Sequence, residues 1–139
     1  MPVASDDLPP AVRVWNLVDA RTAASCACEL KRPLLLLCPQ ESATFGGIAW
    51  FKGLIENARA DFDVELLSGV EVGDDGALAH EALQARLDVV IFTGPASLTE
   101  RLKTIAEAQG AVLLERVPEA LDLASASQPR DACRLHLAR

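Results

Sequence analysis

Cys38 is the side chain of this 139-residue sequence best placed to do chemistry. It ends the apolar run Leu34 to Leu37 and precedes a polar stretch that leads into a helical pattern. A thiol between a strand and a helix N-terminus can have its pKa lowered and act as a nucleophile. The alternative is that Cys38 is a small apolar residue that finishes a buried strand.

Two specific cysteine motifs are excluded by the loop that follows. A Cys-x-x-Cys redox motif needs a second cysteine where Glu41 stands, and a Cys-x5-Arg phosphatase loop needs an arginine where Thr44 stands. No Ser/His/Asp elbow, Walker loop or GxGxxG pattern is present, so no cofactor is predicted. Cys26 and Cys28 do not share a helix face, and no metal site is predicted.

Alternating strands and helices must position this thiol. Apolar runs and helical spacing follow one another along most of the chain, and continuous apolar runs are typical of strands buried on both faces of a parallel sheet. Strands are predicted at five segments, which begin near Val12, Leu34, Val64, Val89 and Val112. Residues 1–10 form a predicted mobile leader and residues 125–139 a C-terminal tail, so the domain spans residues 11–124.

These elements predict an α/β fold: a single-domain three-layer sandwich with helices on both faces of a mainly parallel sheet of four to five strands, Rossmann-like or flavodoxin-like. The most apolar strands, at Leu34 and Val89, are expected in the centre. The Val64 strand, flanked by Asp63 and Glu65, is expected at an edge. Counting the Leu34 strand as the first gives a core order of 2-1-3-4, with the Val12 strand at an undetermined edge.

In such a sheet, ligands bind beyond the carboxyl ends of the central strands, where the winding reverses direction. The loops after Cys38 and after Phe92 would then face each other, and both lead into helix N-termini that favour an anion. We therefore expect a small anionic ligand or a protein partner there. The candidate binding residues are Gln40, Ser42, Thr44, Gly46, Gly47, Thr93, Gly94 and Ser97.

The stretch from Leu34 to about Glu115 resembles enzyme IIB of the sugar phosphotransferase system, lactose/cellobiose type. The resemblance rests on a cysteine that ends the first strand, on the strand-Gly-Pro-helix segment from Asp88 to Pro95, and on the helix and glycine from Leu102 to Gly110. It implies that Cys38 accepts a phosphoryl group. The loop departs from the family because Pro39 lacks an N–H and Glu41 would repel an anion.

The net charge of the chain limits the classes of partner that it is expected to bind. Thirteen Lys and Arg stand against 20 Asp and Glu, a net charge of −7, and aromatic residues make up only 4%. Nucleic acid is disfavoured because it needs basic patches and stacking rings. No apolar run approaches a membrane span, and Asp6 and Asp7 do not fit a signal peptide. Four cysteines without an export signal predict reduced thiols and a cytoplasmic location.

Residues 61–85 hold seven acidic side chains and no Lys or Arg. This acidic segment is predicted to dock a basic partner or the Arg-bearing tail, which carries Arg130, Arg134 and Arg139. Without a complete catalytic constellation, the sequence favours a small cytosolic α/β binding or regulatory module without catalysis. The alternative is a Cys38-based phosphocarrier or thiol enzyme that resembles enzyme IIB.

Overall fold

Six parallel strands form one sheet in the computed structural model, which describes residues 8–138. The strands are β1 (Ala11–Arg13), β2 (Leu34–Cys38), β3 (Leu66–Gly73), β4 (Val89–Phe92), β5 (Val112–Leu114) and β6 (Ala120–Asp122). Their order across the sheet is β5-β4-β3-β2-β1-β6. The chain therefore steps in one direction from β1 to β5, and only β6 lies on the other side of β1.

Six α-helices occupy the connections and the C-terminal part of residues 8–138. They are α1 (Leu17–Leu30), α2 (Gln40–Gly46), α3 (Ile48–Asp61), α4 (Gly76–Gln84), α5 (Ala96–Gln109) and α6 (Pro129–Leu137). Asn16 caps the start of α1, where its side chain accepts a hydrogen bond from the Asp19 N–H, and Lys31 caps its end in the left-handed conformation. Asp75 caps α4 in the same way, through the Leu78 N–H.

The α/β class, the single domain and the parallel sheet are confirmed, but the predicted core order of 2-1-3-4 is wrong. Strand β3 pairs with both β2 and β4, so it separates the two strands that were expected to be neighbours. Asp63 and Glu65, which suggested an edge, precede the strand, which begins only at Leu66. The Val12 strand is not at an edge either, because β1 lies between β2 and β6.

The C-terminal residues belong to the fold. Segment 120–122, which was not among the five predicted strands, is strand β6 and pairs with β1. The predicted tail contains helix α6, which packs against α1 and buries Cys133 and Leu137 completely. A tail that starts at residue 125 is therefore not what the structure shows. Helix α6 is amphipathic, and it packs on the fold because its apolar face is buried there.

Two clusters of buried side chains make up the core. The larger contains the buried side chains of all six helices and of the strand residues that face them, such as Leu34, Leu36 and Cys38. The smaller has Ala11, Leu35, Leu37, Val89, Ile91 and Val112 at its centre, and Leu8, Leu67, Leu114 and Ala120 pack against it. Helices were expected on both faces of the sheet, whereas this second face is covered by strand residues and Leu8.

The sheet must curl for that face to close on itself. In a flat sheet, the five intervals between β5 and β6 would separate these strands by about 24 Å. The chain from Leu114 to Ala120 spans at most ~22 Å when fully extended. Because the two strands are also parallel, this link must return along the strand direction as well. The sheet is therefore a curled, barrel-like layer, and the smaller cluster fills its inside.

The tail arginines pair outside the acidic segment to which they were expected to dock. Arg130 and Arg134 both form ion pairs with Glu29 on α1. Within the acidic segment, Asp61 pairs with Arg21 and Glu71 with Arg13. The expectation that this tail docks on residues 61–85 is wrong for Arg130 and Arg134, while Arg139 lies outside the described residues.

Most of the predicted leader, residues 1–7, also lies outside the described residues. Its last part is attached to the fold: Leu8 packs on the inner cluster, and the Pro10 carbonyl accepts a hydrogen bond from the Leu35 N–H at 2.9 Å. Over residues 8–138, no helix combines the length and the apolar character needed to span a bilayer.

Candidate functional site

A cavity of about 380 Å³ lies where the carboxyl ends of the strands meet. Parallel strands bring all their carboxyl ends to one rim, which is the usual ligand side of α/β folds. The wall of this cavity consists of Arg13, Trp15, Pro39, Gln40, Glu41, Glu71, Gly73, Ile91, Thr93, Val117 and Asp122. We call this the rim cavity.

The side chains of Arg13, Glu71 and Asp122 point into the rim cavity because they lie on the inner face of their strands. Side chains two residues apart share a face of a strand, so Arg13 lies on the inner face with Ala11, and Asp122 with Ala120. On β3 the inner face runs through Leu67 to Glu71. The inner cluster is thus apolar at its base and polar where it opens.

Arg13 holds the two inner carboxylates together. Its Nε donates to Glu71 Oε2 at 2.6 Å and its Nη2 to Glu71 Oε1 at 3.0 Å, a two-pronged pair across the curled sheet. Its Nη1 lies 3.6 Å from Asp122 Oδ2. The hydrogen bonds to Glu71 are the main cause that raises the pKa of Arg13 above its usual value, so the guanidinium stays charged.

Trp15 forms a second, aromatic part of the wall. Its indole Nε1 donates to Asp122 Oδ1 at 2.8 Å, and the same oxygen accepts a hydrogen bond from the Ala124 N–H at 2.9 Å. Oδ1 of Asp122 therefore accepts two hydrogen bonds, while its Oδ2 faces the Arg13 guanidinium. The indole is fixed at the cavity edge, where a bound molecule would meet it.

The Gln40 side chain is positioned by a glycine. Gly73 has a φ of +58°, and a Cβ built there would come within 2.6 Å of Gln40 Oε1. The amide of Gln40 lies over this backbone and donates to the Val72 carbonyl at 3.2 Å. Gly73 sits where the pairing of β3 with β4 shifts register, and its own carbonyl accepts a hydrogen bond from the Thr93 N–H at 2.8 Å. Only a glycine fits both the angle and the contact.

Two of the predicted binding residues meet in the rim cavity. Gln40 and Thr93 both line it, although their strands are not neighbours, because Gly73 of the intervening strand lines it too. The other candidates do not reach the wall: Ser42, Thr44 and Gly46 lie along α2, Gly47 begins α3, and Gly94 and Ser97 lie at the start of α5. The loops after Cys38 and after Phe92 thus open onto one cavity, as predicted, but only two of the eight predicted binding residues line it.

Cys38 faces away from the rim cavity. Its neighbour Leu37 points to the inner cluster, so the thiol points to the helices and is completely buried. Burial, with the nearby charge of Glu71 as a smaller cause, raises the pKa of Cys38 to about 12. A nucleophilic Cys38 would need a lowered pKa and access to a substrate, and the structure provides neither.

The thiols should differ sharply in reactivity with iodoacetamide at pH 8. Cys28 is partly exposed and is expected to react first, whereas Cys26, Cys38 and Cys133 are buried and should react roughly 100-fold more slowly because the fold must open first. Mass spectrometry of the adducts over time measures this, with a sample in guanidinium, in which all four react, as control. Labelling of Cys38 as fast as Cys28 would contradict the burial described here.

Sequence analysis missed Arg13, Trp15, Glu71 and Asp122. The segment around Asp122 was not among the predicted strands, and Glu71 was counted only as part of the acidic segment. One signal was available: Leu67, Gly69 and Glu71 alternate with Ser68 and Val70, which is a strand pattern that carries a charge on one face.

Over residues 8–138, no group of three or more His, Cys, Asp or Glu side chains could hold a metal ion. The two inner carboxylates are occupied by Arg13, Trp15 and a backbone N–H, while Glu41 is exposed at the opening. The polar groups of the rim cavity are carboxylate and amide acceptors, one guanidinium, a hydroxyl and an indole N–H.

No protein-family model matches this sequence, and no curated protein matches it. Among solved structures, a Coccidioides immitis protein provisionally described as a fructose-1,6-biphosphate aldolase superposes with a TM-score of 0.65 at 16% identity. The superposition covers 76% of this chain and 44% of that one, so this chain spans less than half of its length. At this identity the similarity shows the fold alone.

Proposed function

We propose that this chain is a non-catalytic binding module of the cytoplasm, whose ligand occupies the rim cavity. The observation that carries the proposal is the charge of the wall: Glu41, Glu71 and Asp122 against Arg13 alone. A cavity of about 380 Å³ lies within the range of small-molecule sites. The four free cysteines fit a reducing compartment.

The ligand that suits this wall carries a positive charge or several N–H and O–H donors. With three carboxylates and one guanidinium, the wall has an excess of two negative charges, which repels the small anion expected from the sequence. For an ammonium group, this wall offers the exposed carboxylate of Glu41 and the hydroxyl of Thr93 as acceptors. The face of Trp15 adds a surface on which a cation or an apolar part of the ligand packs.

The Cys38 alternative has less support. This alternative needs a thiolate that contacts the substrate. Cys38 is instead completely buried beneath the helices, and burial raises its pKa to about 12. The resemblance to enzyme IIB stays a prediction, and the comparisons contain nothing that bears on it. Binding requires none of these properties, which is why we favour it.

A fluorescence titration tests the proposal. The chain has two Trp residues, so Trp50→Phe leaves Trp15 in the wall as the only indole. In this background we expect 1,4-diaminobutane to change the emission saturably and inorganic phosphate to leave it unchanged. Glu41→Gln should weaken diamine binding about 2- to 5-fold, because an exposed charge pair contributes up to about 1 kcal/mol.

The matched control is Glu81→Gln, which removes an exposed carboxylate of α4 outside the cavity wall. Diamine binding should be the same as in the parent. Equal weakening by both substitutions would show that the diamine responds only to net charge. A titration in which phosphate, and not the diamine, changes the Trp15 emission would overturn the charge preference.

A further inference from the structure

A second concave site lies on the helix side of the sheet, apart from the rim cavity. It is a groove of about 180 Å³ between α3 and the connection from α4 to β4. Its size is below the usual range for drug-sized ligands, so it suits a single small group. We call it the basic groove, because Lys52, Arg59 and Arg86 line it.

Helix α3 supplies one wall through residues three and four apart. Lys52, Glu56 and Arg59 share a face of the helix, and Ile55, which is 1% exposed, closes the bottom. Arg59 Nη2 donates to the Leu66 carbonyl at 2.6 Å, which fixes this guanidinium at the groove. Over residues 8–138, Lys52 forms no ion pair, so its charge is available to a ligand.

The opposite wall contains a carboxylate that is already satisfied. Asp88 Oδ2 accepts hydrogen bonds from the Ser68 N–H at 2.8 Å and from Ser68 Oγ at 3.1 Å, and lies 3.9 Å from Arg59 Nη2. Ser68 is almost fully buried, so this arrangement is part of the fold. Because these donors already bind the Asp88 carboxylate, it neutralises the charges of Lys52 and Arg86 only weakly.

Arg86 enters the groove from an unusual backbone position. It has a φ of +66° and closes α4 through hydrogen bonds from its own N–H to the Leu83 carbonyl and from the Leu87 N–H to the Ala82 carbonyl. Glycine is the usual residue at this position of a helix end, since a side chain there is strained. Over residues 8–138, no hydrogen bond or ion pair occupies its guanidinium. Strain of this kind is often associated with functional sites.

We propose that the basic groove binds a phosphate group, either as free inorganic phosphate or as a phosphomonoester. Three cationic side chains converge on it against Glu56 and the satisfied Asp88, in a protein with a net charge of −7. Arginine and lysine are the side chains that hold phosphate oxygens through charge-assisted hydrogen bonds. This site does not depend on the function proposed for the rim cavity.

Calorimetric titration of the full chain with inorganic phosphate, at constant ionic strength set by chloride, tests this site. We expect saturable binding, and Arg86→Gly should weaken it roughly tenfold or more, since a charge-assisted contact is lost. Glycine relieves the positive φ, so the variant should melt no lower than the parent, and the lost affinity cannot come from unfolding. Lys52→Ala should weaken binding in the same direction.

Arg101→Ala is the matched control, because it removes an exposed arginine of α5 that does not line the groove. It should leave phosphate affinity unchanged. Phenyl phosphate distinguishes the two sources: affinity equal to that of phosphate supports a monoester ligand, and binding of phosphate alone supports free phosphate. No saturable binding of either probe, or equal weakening by Arg86→Gly and Arg101→Ala, would overturn the proposal.

Discussion

Leu37→Ala is expected to lower the free energy of unfolding by about 2–5 kcal/mol, the usual cost of truncating a buried leucine. Leu37 is completely buried in the inner cluster, where strand residues pack on one another without a helix. Chemical denaturation followed by circular dichroism measures the change. Leu135→Ala is the control, because Leu135 is 74% exposed on α6 and its truncation should change stability little.

A double-mutant cycle with Gly69 makes this prediction specific to the curled sheet. A Cβ built on Gly69 lies 2.8 Å from Leu37 Cδ2 and 3.1 Å from Leu35 Cδ1, and both leucines are completely buried. Gly69→Ala alone should therefore destabilise the protein by about 1–3 kcal/mol, as overpacking does. In the Leu37→Ala background the added methyl enters the space that the leucine leaves, and most of this cost should disappear.

Additive effects of the two substitutions would contradict the packing of Leu37 over Gly69. A loss of less than about 1 kcal/mol in Leu37→Ala would also contradict it, since it would mean that the inner face is open to water.

Local apolar patterns were sufficient to locate most elements of this fold. Strands β2 and β4 are runs without a polar residue, and four of the helices between strands follow from helical spacing. Strand order depends on contacts distant in sequence, which no local pattern encodes. It was inferred from Asp63 and Glu65, which precede β3, while the charge inside that strand, Glu71, is balanced by Arg13 of β1. A charge in a strand signals an edge only when no partner reaches it.

The direction of Cys38 could not be derived from the sequence for a related reason. A strand that alternates apolar and polar residues shows which side chains point inward, and a continuous apolar run such as β2 does not. The thiol therefore had equal chances of facing the ligand side or the helices. The site end of the sheet was predictable, because all carboxyl ends of a parallel sheet share one rim whatever the strand order. That explains why Gln40 and Thr93 meet although β3 separates their strands.

Alkaline pH is expected to destabilise this protein more steeply than its exposed groups would suggest. Burial is the main cause that raises the pKa of both Cys38 and Cys133 to about 12, from an ordinary value of 9.0. The folded state thus holds these protons longer than the unfolded chain does. The stabilisation is complete below pH 9 and is lost as the pH rises towards 12, by about 1.4 kcal/mol per pH unit for each thiol.

Denaturation curves between pH 8 and 11 measure this loss, and the absence of Tyr means that no phenol ionises in the same range. Cys38→Ala should lower the slope above pH 9 by about a third to a half, because one of three buried thiols can no longer ionise in the unfolded chain, and burial raises the pKa of Cys26 as well. Cys28→Ala controls for removal of a partly exposed thiol and should keep the parent slope. If Cys38→Ala keeps the full slope, the thiol is not buried as the structure shows, and the case against a reactive Cys38 loses its main support.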